Sequence, residues 1–265
     1  MHARLTETLV RPSQPLRRIG STILLLDEVD STNAYLLARA ANLPDGTVVL
    51  AEFQTAGRGR LGRGWESPRG SSVLLSVLLH EPANSPLLPR LTVVAALAGC
   101  EAVEIATHCR PCLRWPNDLT LGGRKLGGVL VESAAASVKQ RAAVVGVGIN
   151  CLQQRGHFVG ELAHTATSLE IESAHPVDRA AVARHLIERL DCHIAELIAQ
   201  QAAWPRVLAA WKDRSEDLGG RVSLQHDRRT YTGTVLDISE QGDLLVQLDT
   251  GGRRYFASAT TTRIK

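Results

Sequence analysis

Lysine is scarce in this chain: of 30 basic residues only four are lysine, and the others are arginine. The two side chains differ at a binding site, because lysine offers a compact ammonium whereas arginine offers a planar fork of donors suited to carboxylates and phosphates. A lysine can therefore mark a position that needs a compact charge. Lys125, which lies in a glycine-rich segment, is the lysine that we expect to act in function.

The chain also lacks a hydrophobic segment near its start and an apolar run of membrane-spanning length. We therefore expect a soluble, unexported, cytoplasmic protein that does not bind a membrane. The five cysteines are odd in number and irregularly spaced, which is typical of reduced thiols. Cys109-x-x-Cys112 beside His108 has no second cysteine pair, so buried or half-buried thiols are a stronger interpretation than a zinc or redox site.

The length and net charge of the chain limit the number of domains and the class of ligand that can be expected. With 265 residues, of which 44% are hydrophobic, the chain can form one large domain or a large and a small one. A formal net charge of +3 suits a phosphate-bearing ligand and does not require a nucleic-acid surface.

Residues 55–65, called here the arginine loop, hold four glycines and three arginines directly after Gln54. Glycines let backbone N–H groups approach a ligand, and arginines supply donors for its oxygens, so the composition indicates an anion-binding loop. A solvated loop rich in turn formers is the alternative.

Two other interpretations of the loop are weaker. Gly57-x-Gly59-x-x-Gly62 matches the dinucleotide fingerprint, but a Rossmann turn opens into a helix, whereas here a strand-like run follows at 71–79. An RNA-binding Arg-Gly tract repeats and lies in a disordered tail, whereas this one occurs once, between strands.

Three further polar stretches stand at the ends of predicted elements. Ser31-Thr32-Asn33 begins a predicted helix and either caps it or holds a polar ligand. Asn117-Asp118 lies in a predicted turn and either forms an Asx-turn or binds ribose or Mg²⁺. The predicted strand 144–150 carries Gly146 and Gly148 on one face, which often marks close approach of a ligand to the backbone, and ends at Asn150.

The periodicity predicts an α+β fold, with a mixed β-sheet domain flanked by helices. A helix is expected over 89–107, with an apolar stripe from Leu91 to Ile105, and another over 177–200. After residue 218 short alternating runs and turns predict a small antiparallel barrel. We therefore expect a domain at 1–218 and a barrel at 219–265.

The polar stretches together resemble the biotin protein ligases, in which segments matching 31–33, 54–64, 115–118, 123–128 and 148–150 occur in this order. The trailing barrel resembles the C-terminal SH3-like domain of that family. The resemblance implies a ligase that activates biotin with ATP and Mg²⁺ to biotinyl-5′-AMP. It also implies transfer of biotin to a lysine of a biotin carboxyl carrier protein, typically in acetyl-CoA carboxylase.

The resemblance also implies roles for individual residues. The expected biotin-binding residues are Ser31, Thr32, Asn33, Gln54, Arg58, Gly59, Arg60 and Lys125. The expected ATP-binding residues are Arg60, Arg63, Trp65, Asn117, Asp118 and Asn150. Lys125, Arg58 and Arg60 are the expected catalytic residues, and Asp118 is the expected metal ligand. The arginine loop is expected to be mobile without ligand and to order over biotin or the adenylate.

The chain departs from the family pattern in two places. Many bacterial members carry an N-terminal DNA-binding domain, and the lead-in at 1–20 is too short to form one, so we expect neither DNA binding nor repression. The segment after Asn150 reads Cys151-Leu152-Gln153-Gln154 and lacks the second asparagine that is often found there, which puts a nucleotide contact from this segment in doubt. Family members often pair through a sheet edge, so a homodimer is a further expectation.

Two alternatives to biotin ligation stay open on the sequence. A lipoate ligase or acyltransferase of the same superfamily would share the sheet and the activating lysine, but would not need this arginine series. An adenylate-binding regulator or RNA-binding module would bind without turnover.

Overall fold

A mixed sheet forms the centre of the larger unit of the computed structural model, which describes residues 4–12, 14–135 and 140–264. Its seven strands in the described residues are β1 (Ile23–Val29), β2 (Val48–Gln54), β3 (Ser72–Pro82), β4 (Cys112–Arg114), β5 (Asp118–Leu121), β6 (Arg124–Ala135) and β7 (Gln140–Asn150). Their order is β1-β2-β3-β7-β6-β5-β4. Only the β1–β2 pairing among them is parallel, which confirms the predicted mixed sheet.

Helices cover both faces of this sheet. They are α1 (Glu7–Val10), α2 (Thr32–Arg39), α3 (Leu91–Thr107), α4 (Leu162–Thr165), α5 (Leu169–Glu172), α6 (Arg179–Ala199) and α7 (Trp204–Asp213). Helices α3, α6 and α7 pack together on one face, and α2 packs on the other. The predicted helices at 89–107 and 177–200 are confirmed, although Ile105, expected on the buried stripe, is 49% exposed.

Buried apolar side chains form two cores, one on each face of the sheet, and the side chains of β7 alternate between them. Val145, Val147 and Ile149 belong to the large core under α3, whereas Val144 belongs to the small core under α2. Burial of each such side chain contributes about 1.5–3 kcal/mol to stability. Beyond Val144 the α2 face of the strand carries Gly146 and Gly148, so β7 has no side chains there and leaves room beside α2.

The second sheet is a small antiparallel unit, as predicted. Its strands are β8 (Arg221–His226), β9 (Arg229–Ile238), β10 (Leu244–Leu248), β11 (Arg253–Phe256) and β12 (Thr261–Ile264), in the order β11-β10-β9-β8-β12. Its apolar side chains join the large core, so the unit packs on the main sheet. Strand β12 was not predicted, because its short polar run lacks apolar alternation and is extended by pairing with β8.

The polar lead-in at 1–20, whose sequence predicts an irregular segment, is tied to the fold in its described part. It contains α1, and both carboxylate oxygens of Asp191 accept hydrogen bonds from the backbone N–H groups of residues 17–19, at 2.7–2.8 Å. No helix in the described ranges is both long and apolar enough to cross a membrane.

The five cysteines are free thiols. Cys100 and Cys151 are buried and two others are half-buried, but Cys112 is exposed, contrary to expectation. Burial raises the pKa of the Cys151 thiol to about 12. Within the described residues, neither these thiols nor any other His, Cys, Asp or Glu side chains form a group of three that would hold a metal.

Candidate active site

A cavity of about 310 Å³ lies beside α2. It is bounded by the start of α2, the arginine loop, strands β6 and β7, and strand β12 of the second sheet. Its size lies at the small end of the range for ligand sites. Of the 13 residues predicted for the site, 12 line this cavity and Asn150 does not.

Asn150 lies buried at the end of β7, where its amide is engaged by neighbouring segments. Its Nδ2 donates to the carbonyl oxygen of Thr167 at 3.0 Å, and its Oδ1 accepts from Gln153 Nε2 at 2.9 Å. This amide orders the chain after β7. Its expected contact with the nucleotide stays a prediction.

Uncharged polar groups form one end of the cavity. Ser31 caps α2, as its residue type predicted, by accepting from the backbone N–H of Ala34. The backbone N–H of Thr32 donates to Gln54 Oε1 at 2.8 Å, and the Thr32 hydroxyl lies 3.0 Å from the same oxygen. The buried Ser76 hydroxyl lies 2.7 Å from the Thr32 hydroxyl oxygen. Such a set suits an uncharged polar ligand group.

The Asn33 amide is fixed by three partners. Its Nδ2 donates to the carbonyl oxygen of Leu130 at 3.2 Å and to Glu132 Oε2 at 2.8 Å, and its Oδ1 accepts from Ser76 Oγ at 2.6 Å. A Cβ at Gly146 would lie 2.3 Å from this Oδ1. Gly146 was expected to admit a ligand, whereas the group that lies against it in the structure is the Asn33 side chain.

The arginine loop folds into a short hairpin. The backbone N–H of Trp65 donates to the Gly57 carbonyl at 2.9 Å, and that of Gly59 donates to the Arg63 carbonyl at 2.7 Å. At the tip Leu61 is 60% exposed and adopts a φ of 56°. A Cβ at Gly57 would lie 2.2 Å from the Trp65 carbonyl oxygen, so the hairpin requires glycine there.

Two loop arginines are held by groups outside the loop. Arg58 Nη1 lies 3.1 Å from Glu132 Oε1. Arg60 donates through Nη1 to Asn117 Oδ1 at 3.1 Å, and through Nη2 to the Thr261 carbonyl at 3.3 Å and to the Ser258 carbonyl of the second sheet. The second sheet therefore takes part in placing the loop.

Burial lowers the pKa of the Arg60 guanidinium, and this effect outweighs the attraction of Asp118; the charge of Arg63 lowers the pKa further. Burial and like charge both disfavour the cation. An anionic ligand in the cavity would relieve that cost.

Lys125 lies opposite Asp118 at the centre of the cavity. Its Nζ is 2.6 Å from Asp118 Oδ1 and 5.8 Å from the centre of the Trp65 ring. The Trp65 ring lies on β7, where a Cβ at Gly148 would be 2.8 Å from Cε2. The indole Nε1 of Trp65 is buried and has no hydrogen-bond partner in the described part of the chain.

Positive charge dominates the cavity. Of the described residues that line it, Asp118 is the only acid, whereas the cations are Arg58, Arg60, Arg63, Arg114, Lys125 and Arg263. Acids behind the lining also pair with three of these arginines, Arg58 with Glu132, Arg114 with Glu216 and Arg263 with Asp217, so the net positive charge is smaller than the lining alone gives. The remaining excess favours anions at the site. Arg114 and Arg263 were not predicted: Arg114 directly precedes the recognised Trp115, and Arg263 lies on the strand that periodicity missed.

The sequence of the chain matches known families over both sheets. Residues 25–150 match the Biotin/lipoate A/B protein ligase family, and residues 217–260 match the Biotin protein ligase C terminal domain. The bifunctional ligase/repressor BirA of Bacillus spizizenii is 30% identical over 257 residues, which cover 96% of this chain and 78% of that protein. The chain belongs to the biotin protein ligase family.

Other members of the biotin protein ligase family show the same likeness. The biotin--[acetyl-CoA-carboxylase] ligase of Mycobacterium tuberculosis is 36% identical, over 88% of this chain and 85% of that protein. The structure of the Aquifex aeolicus biotin protein ligase in complex with biotin and ATP aligns with a TM-score of 0.77 and 29% identity. That alignment covers 93% of this chain and 100% of the other. The predicted resemblance and fold are confirmed.

Proposed function

We propose that this protein activates biotin with ATP to biotinyl-5′-AMP and transfers biotin to a lysine of the carrier domain of acetyl-CoA carboxylase. One observation supports this most: a pocket of uncharged hydroxyl and amide groups opens directly into a cavity with six cations and one carboxylate. The pocket suits the uncharged head of biotin, and the cations suit its carboxylate and the phosphates of ATP. Relatives in Mycobacterium tuberculosis and Paracoccus denitrificans carry the name biotin--[acetyl-CoA-carboxylase] ligase.

The first step joins two anions. A carboxylate oxygen of biotin attacks the α-phosphorus of ATP, the new O–P bond forms, and the bond to the departing pyrophosphate breaks. The two reactants repel each other until cations neutralise their negative charge. This neutralisation costs the least free energy when the cations are already in place. Lys125, Arg58 and Arg60 are the cations that we assign to this role.

The binding roles follow from the two ends of the cavity. Ser31, Thr32 and Gln54 hold the polar ring of biotin, and Asn33 shapes that end through its buried amide. Gly59 lets the loop backbone approach the ligand. We assign the nucleotide to the residues that the resemblance implies, which are Arg60, Arg63, Trp65, Asn117, Asp118 and Asn150. Asn150 does not line the cavity, so its assignment rests on the resemblance alone.

The groups that line the cavity suit a Mg²⁺ ion that binds together with the nucleotide. The cavity offers the single carboxylate of Asp118, and Mg²⁺ bound to ATP commonly takes one or two protein carboxylates together with phosphate oxygens and water. Asp118 is therefore the residue that would hold it. When bound, Mg²⁺ neutralises phosphate charge. Asp118 also orients the ammonium of Lys125 through their 2.6 Å contact.

The second step transfers biotin to the acceptor. The neutral amine of the carrier lysine attacks the acyl carbon of the adenylate, an amide bond forms, AMP departs, and the amine loses a proton to solvent. The adenylate is a mixed anhydride that water destroys, so the arginine loop must cover it until the carrier arrives.

We also propose that the protein acts in the cytoplasm, where thiols such as its five free cysteines stay reduced. Fractionation of cells that express a tagged chain tests this proposal. The expected absence of DNA binding and the expected homodimer stay predictions, which a gel-shift assay and analytical ultracentrifugation address.

The test of the proposed function is carrier biotinylation. The purified protein is incubated with ATP, Mg²⁺, biotin and a recombinant carrier domain, and the carrier is then analysed by intact-mass and peptide-mapping mass spectrometry. We expect one biotin per carrier, attached to one lysine and dependent on ATP. An unmodified carrier, or biotin spread over many lysines, would contradict the proposal.

A further inference from the structure

Glu132 joins the buried end of the cavity to the arginine loop. One oxygen of its carboxylate, Oε1, lies 3.1 Å from Arg58 Nη1, and the other, Oε2, accepts from Asn33 Nδ2 at 2.8 Å. Glu132 itself does not line the cavity, whereas Arg58 and Asn33 do. The carboxylate therefore acts from behind the site, on two residues that face the ligand.

From Asn33 a continuous series of hydrogen bonds leads to Gln54 at the start of the arginine loop. Asn33 Oδ1 accepts from Ser76, whose hydroxyl lies 2.7 Å from that of Thr32, and Thr32 bonds to Gln54 Oε1. Gln54 directly precedes the arginine loop in the chain. The loop is thus held in two places: at Gln54, where strand β2 ends, and at Arg58, through Glu132.

Charge and exposure determine what the contact with Arg58 does. The Arg58 side chain is 39% exposed and that of Glu132 is 26% exposed, so the pair is neither buried nor fully solvated. Arg58 contacts Glu132 through Nη1, and the guanidinium group carries further N–H donors that can serve a ligand. A carboxylate that holds an arginine in this way limits its rotamers and points its free donors.

We propose that Glu132 is a positioning residue, which holds the Arg58 guanidinium at the mouth of the cavity so that the closed loop retains the adenylate. The proposal rests on the proposed function. Glu132 touches neither substrate nor reacting atoms, and its charge acts on adenylate retention through Arg58. Biotin affinity depends mainly on the buried end of the cavity, so it changes little when Glu132 loses its charge.

The test is a double-mutant cycle with Glu132→Gln and Arg58→Ala. Glutamine keeps an oxygen that accepts from Asn33, but it removes the negative charge facing Arg58. The measured quantities are the rate at which preformed biotinyl-5′-AMP leaves the protein and the Kd of biotin. Glu196→Gln is the matched control, because Glu196 also pairs with an arginine, Arg206, and is 27% exposed, but it lies outside the cavity.

We expect Glu132→Gln to speed adenylate loss about fivefold, the size associated with a partly exposed charge pair, and to leave the Kd of biotin within about twofold. In the Arg58→Ala background the same change adds nothing, because its partner is gone. Glu132→Asp, which keeps the charge, restores part of the retention. Glu196→Gln behaves as the unchanged protein.

Two results would overturn the proposal: adenylate loss at the unchanged rate in Glu132→Gln, or a full fivefold effect in the Arg58→Ala background. The second result would show that Glu132 acts through the fold and not through Arg58. If the unchanged protein forms no biotinyl-5′-AMP at all, the proposed function itself has failed, and that outcome is seen before any variant is compared.

Discussion

At the scale of single residues, the pairing of Lys125 with Asp118 distinguishes catalysis from binding. The two side chains project into the cavity from neighbouring strands, β6 and β5, and lie 2.6 Å apart. In the proposed function the ammonium stands between the biotin carboxylate and the α-phosphate. A cation in that position neutralises charge that develops during attack, which affects turnover more than binding.

Lys125→Ala is therefore expected to lower the rate of biotinyl-5′-AMP formation by a factor of about 10²–10³, the range seen for loss of one group that stabilises a charged transition state. Single-turnover release of pyrophosphate measures this rate. Lys212→Ala is the matched control, because Lys212 also lies 2.6 Å from an aspartate, Asp237, but outside the cavity. An unchanged rate in Lys125→Ala would exclude the assigned role.

Residues with local signals were predictable and those with distant partners were not. Glycine spacing, turn residues and motif order located Gln54 and Lys125 in the sequence. Glu132 gave no such signal, because its partner Asn33 is 99 residues away and the two meet only through the strand order of the sheet. Arg263 was missed for the same reason, since β12 is a strand only through its pairing with β8.

At the scale of elements, the site combines a fixed element, strand β7, with one that we expect to open and close, the arginine loop. Strand β7 supplies a rigid floor, because its two glycines admit Asn33 and the Trp65 ring against the backbone. At its start the loop is tied to the end of β1 by hydrogen bonds from the backbone N–H groups of Thr55 and Ala56 to the carbonyls of Val29 and Asp30. Beyond that point it is held by the two backbone hydrogen bonds of its hairpin and by the contacts of Arg58 and Arg60, so this part opens at a lower free-energy cost than the strands.

Trypsin is expected to cut the arginine loop at its arginines at least about tenfold more slowly when biotinyl-5′-AMP is bound, since cleavage follows the population of the open loop. Gel analysis and mass spectrometry of the fragments measure this rate at residues 58–63. AMP without biotin serves as the ligand control. Equal cutting with and without the adenylate would show that the loop is not a lid.

At the scale of the whole molecule, one buried acid, Asp217, is among the contacts that hold the second sheet beside the cavity. Asp217 accepts from Arg263 of β12 through Oδ1, and from the backbone N–H of Trp115 through Oδ2 at 2.6 Å. Its side chain is fully buried. The same contact places Arg263 at the cavity, so Asp217 contributes both to the stability of the fold and to the geometry of the site.

Asp217→Asn is expected to lower the free energy of unfolding by about 2–4 kcal/mol, because it leaves the partly buried Arg263 without its charge partner. Urea titration followed by circular dichroism measures the change. Asp249→Asn, which removes the partner of the exposed Arg221, is the control and should stay close to the unchanged protein. Equal stability of the two variants would contradict this account.

Acid should weaken the attachment of the lead-in at Asp45. Burial alone would raise the pKa of Asp45, but hydrogen bonds from Arg18 and from the backbone N–H of His80 outweigh it, so the folded-state pKa is lowered. A lowered pKa contributes stability at pH values above the unfolded pKa, and this contribution is lost as the pH falls through the folded pKa. Thermal unfolding between pH 7 and pH 3 should show a shallower acid slope in Asp45→Asn, and an identical slope would refute the assignment.

The measurement that tests the central claim most directly is mass spectrometry of the protein incubated with ATP, Mg²⁺ and equimolar biotin and lipoate, before any carrier is added. The account predicts biotinyl-5′-AMP alone, retained by the protein. Lipoyl-5′-AMP alone would assign the cavity to the other branch of the superfamily, and the absence of both adenylates would contradict the claim that this cavity activates a carboxylate.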